Sequence, residues 1–296
     1  MNVFPNIYYT NPDHRIERKK YMESQFNSLG LSYTRVGMIS PPKDKNPPKY
    51  YVDKLIGEYP ESCSLYMNVY GCILFDFLDQ WLSLGEDYLM LMEDDYDLSL
   101  MKRWHFTWEE FMDRLPYDWD CIQLGFETYD IIPFYLHPTK HQYSLGASLF
   151  KRDHIEKIVG FHKQSGKYKF DYKIADYAYV DRVSGIHDGK YYDATSGGPD
   201  YYLIHTGKSY SIPLIPINPY FCGISHEGVH GLLDWSPKLS FVKCYEAYYE
   251  WWNNDRDKFT LDEFFTYGKD NDILMERAIG DWDDKYFYEL AIKNNE

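Results

Sequence analysis

The chain has 296 residues, a formal net charge of −15 and a hydrophobic fraction of 44%. That is enough apolar material for one large domain or two small ones, and it excludes a globally disordered chain. The acidic balance argues against a nucleic-acid groove, which needs Lys and Arg gathered on one face. Aromatic residues are abundant, with 31 Tyr, 17 Phe and 8 Trp. Their flat faces and polar handles suit sugar rings and nucleobases, although a compositional bias accounts for them equally well. The five cysteines are odd in number and form no CxxC pair, so a reduced, cytoplasmic protein without a zinc cage is expected. The opening MNVFPNIYYTNPDHR lacks the basic and apolar regions of a signal peptide. No run approaches the roughly 20 apolar residues of a membrane span, so any membrane contact is expected to be peripheral.

In chain order, residues 3 to 9 form a β-prone run that ends in the turn Asn11-Pro12-Asp13. Residues 15 to 28 read as a helix with Ile16, Met22, Phe26 and Leu29 on its inner face and Gly30 as its stop. SYTRVGM, residues 32 to 38, reads as a second strand, giving a parallel β-α-β opening. Residues 40 to 62 carry five prolines and read as a long loop. A helix over 64 to 84 follows, with Val69, Ile73, Phe77 and Leu84 on related faces, and then an apolar strand over 88 to 92. Further elements are a helix over 104 to 115, strands over 121 to 124 and 143 to 150, and a helix over 153 to 162. Residues 164 to 200 are polar and Gly-rich; 201 to 205 and 211 to 217 read as strand-like, and from 236 the chain turns helical and aromatic. The pattern predicts an α/β main domain over 1 to 235, with an aromatic-rich helical extension over 236 to 296 packed on it.

Two stretches carry chemistry. Asn11-Pro12-Asp13-His14-Arg15-Ile16-Glu17-Arg18 directly follows the first strand. In open α/β sheets ligands gather at the carboxyl ends of strands. Arg15 and Arg18 lie three apart, on neighbouring positions of one helical face, where they can meet a diphosphate or pair with acids. The alternative is a solvated first turn with ordinary caps. The second stretch is Glu93-Asp94-Asp95, which closes the apolar run Tyr88-Leu89-Met90-Leu91-Met92. Adjacent carboxylates repel and are costly to bury unless something positive compensates them. A hard divalent cation at the end of a buried strand would do so; an acidic solvated turn is the other reading, and Asp97 reads as such a turn residue.

The order of these motifs resembles the family 25 glycosyltransferases, which include bacterial lipooligosaccharide galactosyltransferases and collagen galactosyltransferase domains. NPDHRIER is similar to the family's N-L-x-x-R-x-x-R opening. SYTRVGM, the Gly71-Cys72 helix, the strand ending in Glu93-Asp94-Asp95, the strand Trp119-Asp120-Cys121-Ile122-Gln123-Leu124-Gly125, the segment YSLGASLFKRDHIEKI and Asp200 in GGPDYYLI follow in the family's order over about residues 3 to 225. The chain departs from the pattern in two places. Phe75-Asp76 stands where the family carries Ser-His, and Pro12 replaces a Leu.

The resemblance implies a GT-A-like, Rossmann-like fold with a mixed, mostly parallel sheet flanked by helices. It implies inverting transfer of a sugar, galactose being the family's example, from a nucleotide-sugar donor such as a UDP-sugar to a hydroxyl of a glycan or glycoconjugate. A divalent cation, Mn²⁺ or Mg²⁺, would assist, with Asp95 and Asp94 as first candidates for its ligands and His226 in GISHEGVHG as a further one. Asn11, Arg15, Arg18, Glu93 and Asp94 would hold the donor. Inversion needs one general base; Asp200 is the first candidate and Asp176 the second. Two other readings remain: a non-catalytic sugar-binding relative and a metal-dependent hydrolase.

Overall fold

The computed structural model describes residues 4–39, 48–57, 63–128, 135–139, 142–172, 199–218, 245–246, 248–258 and 260–265. The opening is a β-α-β unit: β1 (Ile7–Pro12), α1 (Ile16–Leu29) and β2 (Tyr33–Met38), with β1 and β2 parallel. The first strand runs further than its apolar residues suggest and carries Asn11 within it. A one-turn helix, α2 (Lys49–Val52), interrupts the Pro-rich stretch. The long helix α3 (Cys63–Leu82) then leads to β3 (Tyr88–Glu93), which pairs with β1 on the side away from β2. Thus strand order reverses between β1 and β3, the arrangement that leaves a crevice at their carboxyl ends.

The rest of the sheet is built around an antiparallel insertion. A 3₁₀ turn (Ser99–Arg103) and α4 (Trp108–Asp113) precede β4 (Cys121–Thr128), β5 (His137–Pro138) and β6 (Gln142–Lys151). Then come α5 (Arg152–His162), the two-residue strands β7 (Lys163–Gln164) and β8 (Lys167–Tyr168), α6 (Pro199–Ile204) and β9 (Ser209–Ser211). The seven-stranded sheet has the order β2-β1-β3-β6-β4-β9-β5, and β7 and β8 form a separate two-stranded pair. Strands β2, β1, β3, β4 and β9 share one direction, while β6 and β5 oppose them. The fold is therefore mixed α/β, with a helix-flanked sheet of the Rossmann-like kind.

Alternation along the strands loads both faces of the sheet. Ile7, Tyr9, Met90, Met92, Ile122 and Leu149 join Met22 and Phe26 of α1 in one core. Tyr8, Leu89, Leu91, Cys121 and Phe150 join α3, α5 and α6 in the other. On α1 the buried stripe is Arg18, Met22 and Phe26, four residues apart, whereas Ile16 is 57% exposed. Ile16 lies six residues before Met22, off the line of a 3.6-residue repeat, so its expected inward position is corrected.

Three other expectations change. Residues 201 to 205 were expected as strand, but 201–204 lie in helix α6. Over 211 to 217 only Ser211 belongs to a regular strand. Beyond it Ile212 donates to the Gln123 carbonyl (2.9 Å), and Leu214 and Ile215 donate to that of Leu124 (2.8 Å each). Pro213 and Pro216 have no N–H to give, which breaks the ladder. The helix expected over 104 to 115 is shortened to Trp108–Asp113 because Thr107 caps it. The Glu110 N–H donates to Thr107 Oγ1 (3.2 Å) while the Thr107 N–H donates to Glu110 Oε2 (2.7 Å), a capping box.

Aromatic side chains from the C-terminal part cover the α1 face of the sheet. Tyr248, Trp251, Trp252, Phe264 and Phe265 are buried there with Phe106 and Phe111. Trp252 Nε1 donates to the Pro213 carbonyl (3.1 Å), and Leu136 N donates to that of Phe264 in α7 (Leu261–Phe265). Among the described residues no helix is long and apolar enough to cross a membrane.

In the other core His162 is fully buried, its Nδ1 against the Lys169 carbonyl and its ring edge-on to Tyr202. Burial pushes its imidazole pKa down from 6.5 to about 4. The unfolded chain therefore binds a proton that the folded chain refuses. This stability is complete above pH 6.5 and is lost as pH falls toward 4, by on the order of 3 kcal/mol. Urea titrations between pH 7 and 4 should show a shallower decline for His162→Phe than for wild type. Equal slopes would contradict the assignment.

Candidate functional site

Residue 18 is a buried arginine, 6% exposed, on the face of α1 that packs against the sheet. A guanidinium cannot shed its proton, so it must find anions. Arg18 Nη1 donates to Asp94 Oδ1 (2.7 Å) and to Asp95 Oδ2 (3.2 Å). The second oxygen of Asp94 accepts from Asn11 Nδ2 (2.5 Å), and that same amide nitrogen also donates to the Arg15 carbonyl (3.2 Å). Asn11 is 0% exposed and Asp94 is 4% exposed. The end of β1, the first turns of α1 and the end of β3 are thereby tied at the crevice where strand order reverses.

The turn after β3 is held from several other directions. The Gly146 N–H donates to Glu93 Oε2 (3.1 Å). Gly146 has φ +63°, and a Cβ there would lie 2.0 Å from the Gly125 carbonyl oxygen and 2.9 Å from Tyr96 Oη. Only glycine fits this bend, which sits beside a register shift between β4 and β6. Gln25 Nε2 donates to the Tyr96 carbonyl (3.0 Å), and the Leu98 N–H donates to Gln25 Oε1 (2.8 Å). The Asn218 N–H donates to the Asp95 carbonyl (2.6 Å), while its side-chain nitrogen donates to Tyr21 Oη (2.8 Å).

Asp97 corrects an expectation. It is buried, not solvated, and its carboxylate accepts from the Ser99 N–H (2.8 Å) and from the hydroxyls of Tyr245 and Tyr249 (2.9 Å each). Two residues of the C-terminal aromatic stretch thus reach the acidic turn directly.

Burial pushes the Asp95 carboxyl above the usual carboxylate range, and the charge of Asp94 adds to this, against the pull of Arg18. Carboxylate oxygens are the hard donors that Mg²⁺ and Mn²⁺ take, so the chemistry of Asp94 and Asp95 fits such an ion. Among the described residues no three His, Cys, Asp or Glu side chains gather as a metal cage. A cation held here would draw on two protein carboxylates, with water or phosphate oxygens completing its shell.

Of the residues singled out in the sequence, Asn11, Arg18, Asp94 and Asp95 come together, and Glu93 precedes them at the end of β3 with its carboxylate on the Gly146 N–H. Arg15 lies beside them as the residue before α1, where its backbone accepts from Asn11. Asp200 lies in the first turn of α6, which packs against β6 and α3; its side chain, Asp176 and His226 are outside the described residues. Asp76 is ion-paired with Lys54 and accepts from Tyr168 Oη (3.1 Å). Arg35, Gln25, Asn218 and Tyr245 were not singled out. Arg35 comes to face Asn11 only through the register of the paired strands, which sets it opposite Tyr9 and sets Gly37 opposite Asn11. Comparison with protein-family models and with curated proteins returns no match to this chain.

Two predictions follow from this geometry. Arg18→Met should cost about 3 kcal/mol, since it strands the buried Asp94, and Asp94→Leu should cost less, since Arg18 keeps Asp95. The double variant should cost clearly less than the sum, as read by urea denaturation; additivity would show that the two side chains do not depend on each other. For Asp95 the folded chain holds the proton more tightly than the unfolded chain. Its contribution to stability therefore falls as pH rises from the unfolded value through the raised folded value. Asp95→Asn should then be more stable than wild type at pH 7, with no gain below pH 4. A loss at pH 7 would contradict this.

Proposed function

We propose that the chain is a GT-A-type inverting glycosyltransferase related to family 25. In this reading it moves a hexose from a nucleotide-diphosphate donor, a UDP-sugar in the first instance, to a hydroxyl of a glycan or glycoconjugate. The observation that carries the reading is the meeting of Asn11, Arg18 and Glu93-Asp94-Asp95 at the carboxyl ends of β1 and β3. A polar, charged cluster at this switch point is where an open α/β sheet takes its ligand. The order of sequence motifs points the same way.

Asp95, with Asp94, is the pair that would hold Mn²⁺ or Mg²⁺, and the ion would supply charge neutralisation for the departing diphosphate. Asn11, Arg15 and Glu93 line the donor side. Asp200 is assigned the general base and Asp176 is the second candidate. The base takes the proton of the acceptor hydroxyl as its oxygen bonds to the anomeric carbon. The bond from that carbon to the diphosphate breaks in the same displacement, which inverts the centre. The bacterial surface glycans of the family are the acceptor class favoured by analogy.

One observation favours a non-catalytic sugar-binding relative instead: Arg18 already offsets the charge of both aspartates. The same experiment separates the two. UDP, GDP, CMP and their sugars are screened by thermal shift with and without Mn²⁺. One nucleotide is expected to raise the melting temperature by several degrees only when the metal is present, because a ligand that binds the folded state alone stabilises it by mass action. Asp95→Ala should abolish that shift. Asp200→Asn should keep the shift while turnover collapses by at least about 100-fold. Absence of any nucleotide shift in the folded protein would favour the binding relative.

A further inference from the structure

Arg35 lies on β2, the edge strand, and its Cα stands opposite Tyr9 of β1. Its side chain runs along the sheet to the end of the neighbouring strand. Arg35 Nε donates to Asn11 Oδ1 (2.8 Å) and Arg35 Nη2 donates to the Asn11 carbonyl (2.9 Å). Nη2 also donates to Asp13 Oδ1 (2.6 Å), on a residue whose side chain is 81% exposed. If Arg35 were an ordinary edge-strand cation it would need only Asp13. Two of its three bonds instead go to the wholly buried Asn11.

The path between them is kept clear. Gly37 is the register partner of Asn11 and so sits between Arg35 and the strand end. A Cβ at Gly37 would lie 3.5 Å from Asp13 Oδ1 and 3.8 Å from Arg35 Nη1. An alanine is accommodated there at ordinary contact, but a larger side chain displaces the guanidinium.

An amide side chain has one accepting and one donating end. With Arg35 donating to Oδ1, the NH₂ of Asn11 must face the other way, toward Asp94 and the Arg15 carbonyl. The reversed amide would set NH₂ against a guanidinium and oxygen against a carboxylate, two repulsions at once. We propose that Arg35 is a positioning residue: its Nε bond to Asn11 Oδ1, steadied by the Nη2 bond to the Asn11 backbone carbonyl, fixes that amide with its NH₂ on Asp94, and so holds the Asp94 carboxylate in one orientation for a divalent cation. The cation part rests on the function proposed above; the orientation of the amide does not. Partners one step removed from a ligand commonly change metal affinity by about 10–100-fold.

The test uses the full chain and Mn²⁺ alone. In ¹⁵N-labelled protein the Asn11 NH₂ pair is assigned by its loss in Asn11→Asp, and it should be shifted from free-amide positions in wild type. In Arg35→Gln it should return toward them, and the Mn²⁺ dissociation constant from calorimetric titration should rise about tenfold. In an Asn11→Ala background Arg35→Gln should change that constant less than about twofold, because nothing is left to position. If Arg35→Gln does not fold, Gly37→Leu, which keeps Arg35 but crowds its path, carries the same measurements. An unchanged NH₂ pair in the folded variant overturns the proposal, as does a penalty of equal size in the Asn11→Ala background. Failure of wild type to take up Mn²⁺ removes the metal reading, and the NH₂ pair then decides the role of Arg35 by itself.

Discussion

The buried guanidinium of Arg18 is the constraint on which the rest of the site depends. Two consecutive aspartates follow a strand whose central residues, Leu89 to Met92, are apolar on both faces, and the buried Asp94 could not sit there ionised without a fixed positive partner. Arg18 supplies it from the third residue of α1, on the same helical stripe as the core residues Met22 and Phe26. The ion pair and the packing of α1 are therefore one event: the helix cannot slide or rotate without uncovering a charge. Asn11 closes the arrangement from the strand side by taking the remaining oxygen of Asp94.

The sheet topology makes this convergence available. Because β2 and β3 flank β1 on opposite sides, α1 and α3 lie on opposite faces and the ends of β1 and β3 open into a common crevice. From the far side of the sheet, the bend at Gly146 brings a backbone N–H to Glu93, and the Pro213–Pro216 segment delivers Asn218 to Asp95. Tyr245 and Tyr249 then fasten the aromatic C-terminal stretch onto Asp97. Coupling of this kind makes the acidic turn a rigid element assembled from distant parts of the chain, which suits a site that must hold charge in a fixed geometry.

Much of this frame was legible in the sequence. Apolar runs, the Gly30 stop and the Pro-rich break marked the first strands and helices, and the placement of NPDHRIER and Glu93-Asp94-Asp95 after strands put both at carboxyl ends. Local pattern failed where tertiary contact decides. YYLI has strand propensity, yet it follows Pro199 into α6, where Tyr202, Leu203 and Ile204 fill the core against α3 and α5. Asp97 looked like a turn residue because its partners, two tyrosines, lie about 150 positions away in the chain. Arg35 looked like an ordinary polar residue of an edge strand because the register that aims it at Asn11 exists only once β1 and β2 are paired. Pairwise bonds between remote residues leave no periodicity to read.

In the function proposed above, the carboxylates closing β3 form a cation site for a diphosphate ligand. Its most direct measurement is a crystal of the full chain soaked with Mn²⁺ and UDP and recorded at a wavelength where manganese scatters anomalously. A single strong anomalous peak is expected within about 2–2.5 Å of an Asp95 carboxylate oxygen, at the crevice between β1 and β3, with Asp94 still bonded to Asn11. A peak at another place in the fold, or a bound UDP remote from these acids, would contradict it and return Glu93-Asp94-Asp95 to a purely structural role beside Arg18.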